Sequence, residues 1–499
     1  MRGIGLLLLL LLATSSRAEG AFDTGLARTV YAAALAFIEP RALDPVSVPE
    51  LTIWGLRGLT ALDPALTVRS DGSIRLLVPG QPPVVAPVPD SMAPDAWARL
   101  AAALSEAGWA ASPGVRRAGT EGVMRAFFGA MLPHLDPYSR YIPPDEAAVQ
   151  EEQRVGAAGV GLVLSEDSGG IFVAHAIRDG PAAQAGVRDG DRLLAINGQA
   201  TFGAAPAEVS AWLAGPEGSE VTLEVQGSRG TRRLFLTRAE TPEENVFASR
   251  TDAALVVRVA NFTDRTAARL ASVLEVTLER HVPPPGIVLD LRGNRGGLVR
   301  QAVAAAGVLL PQGVVAVTQG RDPMANRVWS SSGNQIGTGR KLVVLVDEQT
   351  ASAAEILAAS LADRGRAVVV GSVTMGKGLV QTVTRLPDGG ELALSWSRVL
   401  APRGWPIEGL GVLPQVCTSL GEPSVQWQLG ALASDVQPMA SALARARGAR
   451  VPVPPAEIAA IRGTCPPASG TKLDLRVALR LINEPSAYSA ALLPGDRVP

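Results

Sequence analysis

The chain has 499 residues, enough for roughly three domains, and 47% are hydrophobic against 19% charged, which excludes a largely disordered protein. Its 46 basic and 47 acidic side chains nearly cancel, so no general field draws it to nucleic acid or to an anionic membrane. Two cysteines and three scattered histidines (His134, His175 and His281) do not suggest a metal centre, and no cofactor is expected.

Residues 1–18 read as an export signal. Met1-Arg2-Gly3 is a basic start, residues 4–12 are an apolar run, and Ser16-Arg17-Ala18 places small residues where signal peptidase reads them. The run is short for a bilayer span, which takes about 20 residues, and nothing further along reads as membrane-spanning. Export leads to an oxidising compartment, where Cys417 and Cys465, 48 positions apart, are a natural disulfide, two separate thiols being the alternative.

Apolar residues recur at helical spacing over 24–37 and 120–132, with Pro40 and Pro133 as stops. The proline-crowded stretch 78–94 between them reads as a linker or irregular excursion. Residues 135–141 leave the second helix in extended form. From Gly159 to Arg238 the pattern changes to short β-branched runs at 171–174, 192–196, 221–225 and 233–236, with short helices at 181–186 and 206–213. After Glu240 strand and helix alternate, with strands at 255–259, 287–291, 342–346 and 367–370 and helices at 265–279, 299–309 and 353–361. Such alternation predicts an α/β layer of helices against a mostly parallel sheet. Beyond Val425 the chain is alanine-rich, helical in parts and broken at Val451-Pro452-Val453-Pro454-Pro455.

The segment 342–381 carries the chemistry. A strand delivers the loop 347–350, and a helix then opens at Ala351-Ser352-Ala353-Ala354-Glu355. A serine there projects its hydroxyl beside the unpaired first amides of the helix, which suit a developing oxyanion. On spacing alone the same serine is an ordinary N-cap. One helix and one strand later, Lys377 stands between Gly376 and Gly378, the only substantial side chain of its turn. To accept a proton from serine its amine must lose its charge near neutral pH, at roughly 4 to 5 kcal/mol of desolvation and neighbouring dipoles. Lysine is able to do this and arginine is not.

Two further glycine-rich turns bear on the reading. Gly371-Ser372-Val373-Thr374-Met375-Gly376-Lys377-Gly378 imitates a nucleotide-binding phosphate loop, but Gly378 stands where a magnesium-binding Ser or Thr belongs. The residues after it, 380–386 and 391–396 across Pro387-Asp388-Gly389-Gly390, read as a hairpin and not a helix. Asp290-Leu291-Arg292-Gly293-Asn294-Arg295-Gly296-Gly297 ends a buried strand before a helix, either as an ordinary turn or as a loop whose amides hold an oxyanion.

Together Thr350-Ala351-Ser352-Ala353-Ala354-Glu355-Ile356, Gly376-Lys377-Gly378 with Gln381, the turn 290–297 and the module from Gly159 resemble the carboxyl-terminal processing peptidases, serine proteases with an inserted PDZ domain. The resemblance runs from about Thr120 to Val416 and takes in Leu135-Asp136-Pro137-Tyr138-Ser139 and Arg403-Gly404-Trp405-Pro406-Ile407-Glu408-Gly409. It implies Ser352 as nucleophile, Lys377 as general base, Gln381 as the group orienting the lysine, and the amides of Gly297 and Ala353 as the oxyanion hole. Glu355 is expected to be structural. Ala354, Met375 and Arg295 depart from the family's frequent serine, phenylalanine and proline without removing a reacting group.

Gly159-Val160-Gly161-Leu162 resembles the carboxylate-binding loop of PDZ domains, with the amides of Val160, Gly161 and Leu162 as peptide-binding groups. The expected organisation is a signal peptide (1–18), a helical N-terminal region (19–155), a PDZ domain (156–240), a Ser/Lys protease core (241–420) and a C-terminal extension (421–499). The implied protein is an exported, periplasmic endopeptidase that takes protein or peptide substrates by a free C-terminus, with room for an activating adaptor and for a homo-oligomer. The alternatives are a catalytically silent PDZ scaffold, a phosphate-loop nucleotide binder, or a Ser-His-Asp hydrolase using one of the three histidines.

Overall fold

The computed structural model describes residues 21–148, 158–167, 169–177, 180–228, 230–239, 245–279 and 282–494. The expected signal peptide and His281 lie outside these residues. The chain divides into two compact units, one formed by residues up to 147 with 381–395, the other by 148–380 with 396–499.

In the first unit, Asp23 Oδ1 accepts from Leu26 N at 2.8 Å to start α1 (Thr24–Arg41), and Ser47 with Glu50 forms the capping box of α2 (Val48–Leu56). α3 (Gly58–Leu62), α4 (Pro94–Ala111) and α5 (Pro113–Met131) follow, and Ser112 Oγ caps α5. Their apolar faces bury Tyr31, Leu35, Ile38, Trp97, Phe127 and Phe128, with Tyr31 stacked on Phe127 at 4.1 Å between ring centres. The stretch read as a linker instead joins a small antiparallel sheet, β1 (Thr67–Ser70), β2 (Ile74–Leu77) and β3 (Val84–Ala86). Pro79, Pro82 and Pro83 hide strands this short, of which Ile74 and Leu76 are buried.

β4 (Arg140–Ile142) ends this region, after a turn closed by Asp136, whose carboxylate accepts from Tyr138 N at 2.8 Å and Ser139 N at 2.9 Å. The segment 381–395, expected in the protease core, belongs to this unit because Leu386, Leu392 and Leu394 enter its apolar core.

The second unit opens with the β module: β5 (Leu162–Asp167), β6 (Gly170–Ala176), α6 (Pro181–Gln184), β7 (Arg192–Ile196), β8 (Gln199–Ala200), α7 (Pro206–Leu213), β9 (Glu220–Gly227) and β10 (Gly230–Thr237). Its sheet runs β10-β9-β7-β6-β5, so β5 is an edge strand. The inward side chains, among them Val160, Val173, Leu193, Val209, Leu223 and Val225, form one buried core.

The α/β layer contains β11 (Val246–Arg250), β12 (Ala254–Val259), α8 (Thr266–Leu278), β13 (Gly286–Asp290), α9 (Val299–Leu309), the antiparallel pair β14 (Gly313–Gln319) and β15 (Arg327–Ser331), β16 (Lys341–Val346), α10 (Ala353–Asp363) and β17 (Val368–Gly371). Two longer strands, β18 (Leu379–Arg385) and β19 (Glu391–Leu400), precede the short β20 (Val416–Cys417). The main sheet has the order β11-β12-β13-β16-β17-β20, parallel throughout except for β11.

Alternation along its strands divides the core in two. Ile287, Leu289, Leu342, Val344 and Val369 face α8, α9 and α10, whereas Val288, Val343, Leu345, Val368 and Val370 face the C-terminal helices. Those helices are α11 (Glu422–Ala433), α12 (Ala440–Gly448), α13 (Pro455–Arg462), α14 (Lys472–Asn483) and α15 (Pro485–Ala491). α11, α14 and α15 thus form the second face of the sheet, a role the alanine-rich tail did not announce.

Candidate active site

Three loops leave the carboxyl ends of the neighbouring parallel strands β13, β16 and β17, the edge where open α/β sheets build crevices. The first two are locked together by polar atoms. Asp347 Oδ1 accepts from Gly293 N and from Thr350 N, each at 3.0 Å. Thr350 Oγ1 donates to Leu291 O at 3.0 Å, and Ala351 N to Asn294 O at 2.9 Å. Asn294 is fully buried, with Nδ2 on Val259 O at 2.8 Å and Oδ1 receiving Gly296 N at 2.8 Å. These bonds fix the turn that carries the exposed Arg295 in place of the expected proline.

Ser352 stands between this loop and α10 with φ 55° and ψ −119°, a conformation that costs a non-glycine residue about 1–3 kcal/mol. Gly296, at φ 100°, makes room for it: a Cβ there would lie 2.8 Å from Ser352 Cβ and 3.1 Å from Ala353 N. Among the described residues, neither Gly297 N–H nor Ala353 N–H, the first amide of α10, has an acceptor. Both are therefore available to a developing negative charge.

The third loop is tied to the serine through Glu355, which is 0% exposed. Its Oε2 accepts from Ser352 N at 2.8 Å and from Lys377 N at 2.9 Å. Its Oε1 accepts from Gly376 N at 2.7 Å and from Thr374 Oγ1. Burial pushes this carboxyl above the ordinary range, and the four donors pull it back. Three of the four are amide N–H groups that only donate, so the nest is built around the carboxylate form. One buried oxygen thus joins the backbones of Ser352 and Lys377, and Met375 N adds a bond to Thr350 O at 3.0 Å.

Glycine at 378 is dictated by contact, since a Cβ there would lie 2.2 Å from Glu408 N. Gly378 N donates to Glu408 Oε2 at 2.7 Å. Lys377 itself is half-buried, as is Ser352. The phosphate-loop alternative fails here, because β18 and not a helix follows Gly378.

Gln381 lies four residues beyond Lys377, and its Nε2 donates to Tyr138 O at 2.7 Å. In the β module, Val160 and Gly161 give their carbonyls to Ala182 N and Ile177 N, each at 2.9 Å, while their own amides have no acceptor among the described residues. Leu162 begins edge strand β5, alongside which α7 packs. His175 contacts Asp189 at 3.0 Å within that module, and His134 stacks on Trp54 within the first unit. Cys417 and Cys465 form a disulfide, with 2.08 Å between the sulfurs.

Sequence reasoning had Glu355 as part of the helix but missed its hold on both loops; the Ser-x-x-Glu spacing of a capping box was the available signal. Glu408, Thr374 and Asn294 were missed as well. Their roles follow from contacts between distant loops, which no local spacing reveals.

The PDZ-type module and the serine-bearing α/β layer match known families. Residues 254–418 match Peptidase family S41 and residues 172–227 match a PDZ domain. The chain is 35% identical over 326 residues to the chloroplastic C-terminal processing peptidase of Tetradesmus obliquus, covering 60% of this chain and 68% of that one. Against the carboxy-terminal processing protease CtpA of Bacillus subtilis (strain 168), identity is 31% over 288 residues, 57% of this chain and 61% of the relative's length. The solved structure of a photosystem II D1 C-terminal processing protease aligns with 76% of this chain and 97% of its own, at 29% identity and a TM-score of 0.38. The sequence matches define an S41 peptidase core combined with a PDZ domain. The chain belongs to the C-terminal processing peptidase family.

Proposed function

We propose that the protein is an exported serine endopeptidase that captures proteins by a free, apolar C-terminus and cuts upstream of it, processing or degrading proteins of the cell envelope. Ser352 is the nucleophile and Lys377 the general base. Gln381, four residues on along the chain, orients the lysine, and its own amide is steadied by the Tyr138 carbonyl. The observation that carries this reading is the shared Glu355 oxygen between Ser352 N and Lys377 N, which brings two loops 25 positions apart to one point.

The reaction follows from these assigned roles. Ser352 Oγ attacks the scissile carbonyl carbon as its proton passes to the Lys377 amine. Charge developing on the carbonyl oxygen meets the Gly297 and Ala353 N–H groups. As the tetrahedral intermediate collapses, the Lys377 ammonium gives its proton to the leaving amine, and water then hydrolyses the acyl-serine by the same steps.

Capture is assigned to the unoccupied amides of Val160 and Gly161, with that of Leu162, while the peptide adds a strand at β5. A peptide and its C-terminally amidated twin test this. The free acid is expected to turn over with the lower KM, by tenfold or more, and equal turnover of the two would end the capture proposal. The first eighteen residues support periplasmic export, which processing of the chain after Ala18 in cell fractions would check.

A further inference from the structure

The C-terminal extension does more than cover the sheet. At the end of α13, the half-buried Arg462 reaches under the turn that carries Lys377, and its Nη1 donates to Thr374 O at 2.9 Å, Leu410 O at 3.0 Å and Gly409 O at 3.4 Å. These carbonyls belong to two chain segments already joined on their other side. Gly409 N donates to Gly376 O at 2.9 Å, and Val412 N to Thr374 Oγ1 at 2.7 Å. Thr374 is the junction, its hydroxyl on Glu355 and its carbonyl on Arg462.

Gly411 faces the same junction, since a Cβ on it would lie 2.7 Å from Thr374 O, 2.9 Å from Thr374 Oγ1 and 3.0 Å from Arg462 Nη1. Arginine suits the place because it stays charged when half-buried and presents several donors in a fixed plane. Burial pulls its pKa down from the ordinary guanidinium value, and the charge of Glu355 opposes that. The side chain's origin is pinned in turn: Cys465 N donates to Arg462 O at 3.2 Å, and buried Cys465 is bonded to Cys417 beside the end of the sheet.

We propose that Arg462 is a positioning residue for the base: it holds the carbonyls of Thr374, Gly409 and Leu410 so that the turn presents Lys377 to Ser352, from a helix end anchored by the Cys417–Cys465 bridge. The inference rests on the Ser352/Lys377 reading above. It differs from that reading in placing a determinant of turnover beyond the S41 match at 254–418, in the C-terminal extension. A misplaced base slows the chemical step without weakening peptide capture, and displacements near 1 Å cost about a hundredfold in rate.

The experiment compares kcat and KM for the full chain and for Arg462→Ala, Arg462→Gln, Arg462→Lys and Lys377→Ala, alongside the rate at which a small serine-directed acylating probe labels Ser352. Arg462→Ala is expected to lower kcat by about 10- to 100-fold with KM within twofold, and Arg462→Lys, which keeps the charge and a donor to Thr374 O, to recover most of the loss. Wild-type kcat in Arg462→Ala would overturn the proposal. So would a parallel fall in kcat and Tm that lysine does not repair, which marks a purely structural arginine. Should the alanine protein fail to fold, Arg462→Gln is read by the same criteria. Failure of the underlying reading looks different: the unaltered chain would leave Ser352 unlabelled, or Lys377→Ala would label as fast as it does.

Discussion

Replacing Glu355 by glutamine changes one atom in the most buried polar nest of the site. Each carboxylate oxygen accepts two donors, Oε2 from Ser352 N and Lys377 N, Oε1 from Gly376 N and Thr374 Oγ1. With its nitrogen at the Oε2 place the new amide faces two N–H donors, and at the Oε1 place it faces Gly376 N–H while the Thr374 hydroxyl turns to accept. At least one hydrogen bond to an ionised acceptor is lost, at about 1.5–3 kcal/mol, and the others become weaker bonds to a neutral amide. Relief from burying a charge returns part of this, as the upward push on the carboxyl indicates, leaving a net destabilisation of about 2–4 kcal/mol. The larger effect falls on geometry, because a neutral amide grips the two loops more weakly than the carboxylate and, with its oxygen kept between Ser352 N and Lys377 N, turns its nitrogen against Gly376 N–H. Glu355→Gln is expected to lower kcat/KM by about a hundredfold or more. Urea unfolding gives the stability change and peptide hydrolysis the rate. A variant with wild-type midpoint and wild-type kcat/KM would refute the claim that this carboxylate couples the loops.

Gly296→Ala is expected to abolish most hydrolysis, since the added methyl would lie 2.8 Å from Ser352 Cβ on a backbone at φ 100°. Near-normal kcat would show that the loop adjusts freely. Removing the disulfide with Cys417→Ala and Cys465→Ala opens a loop of 48 positions, worth about 4 kcal/mol on the chain-entropy account. Thermal melts of the double variant should fall well below the parent, and coincident melts would contradict that account.

Much of the second unit was legible because its signals are local. Strand β7 and helices α7 and α9 have the bounds that periodicity, turns and a first-turn proline predict, and the alternation after Glu240 gives the parallel sheet. Edge strand β5 escaped because Ser165, Glu166 and Asp167 dilute its apolar pattern. The strands at 67–70, 74–77 and 84–86 escaped because each is only three or four residues long, prolines crowd the gap between the last two, and they hold few buried residues. At the site, Ser352 and Lys377 stood out by their glycine and helix-start settings. Arg462 follows Lys377 by 85 positions, and its value lies in carbonyls of the backbone, which carry no mark in sequence. Loop-to-loop contacts of that kind become visible only when the chain is folded.

The central claim, a serine alcohol activated by one lysine amine, is tested most directly by labelling. A serine-directed acylating probe is followed by mass spectrometry in the unaltered chain and in Lys377→Ala, with circular dichroism confirming that both are folded. The account predicts an adduct on Ser352 that forms at least a hundredfold more slowly without the lysine amine. An adduct on Ser352 forming at the same rate in both proteins, or an adduct on a different serine, would contradict it.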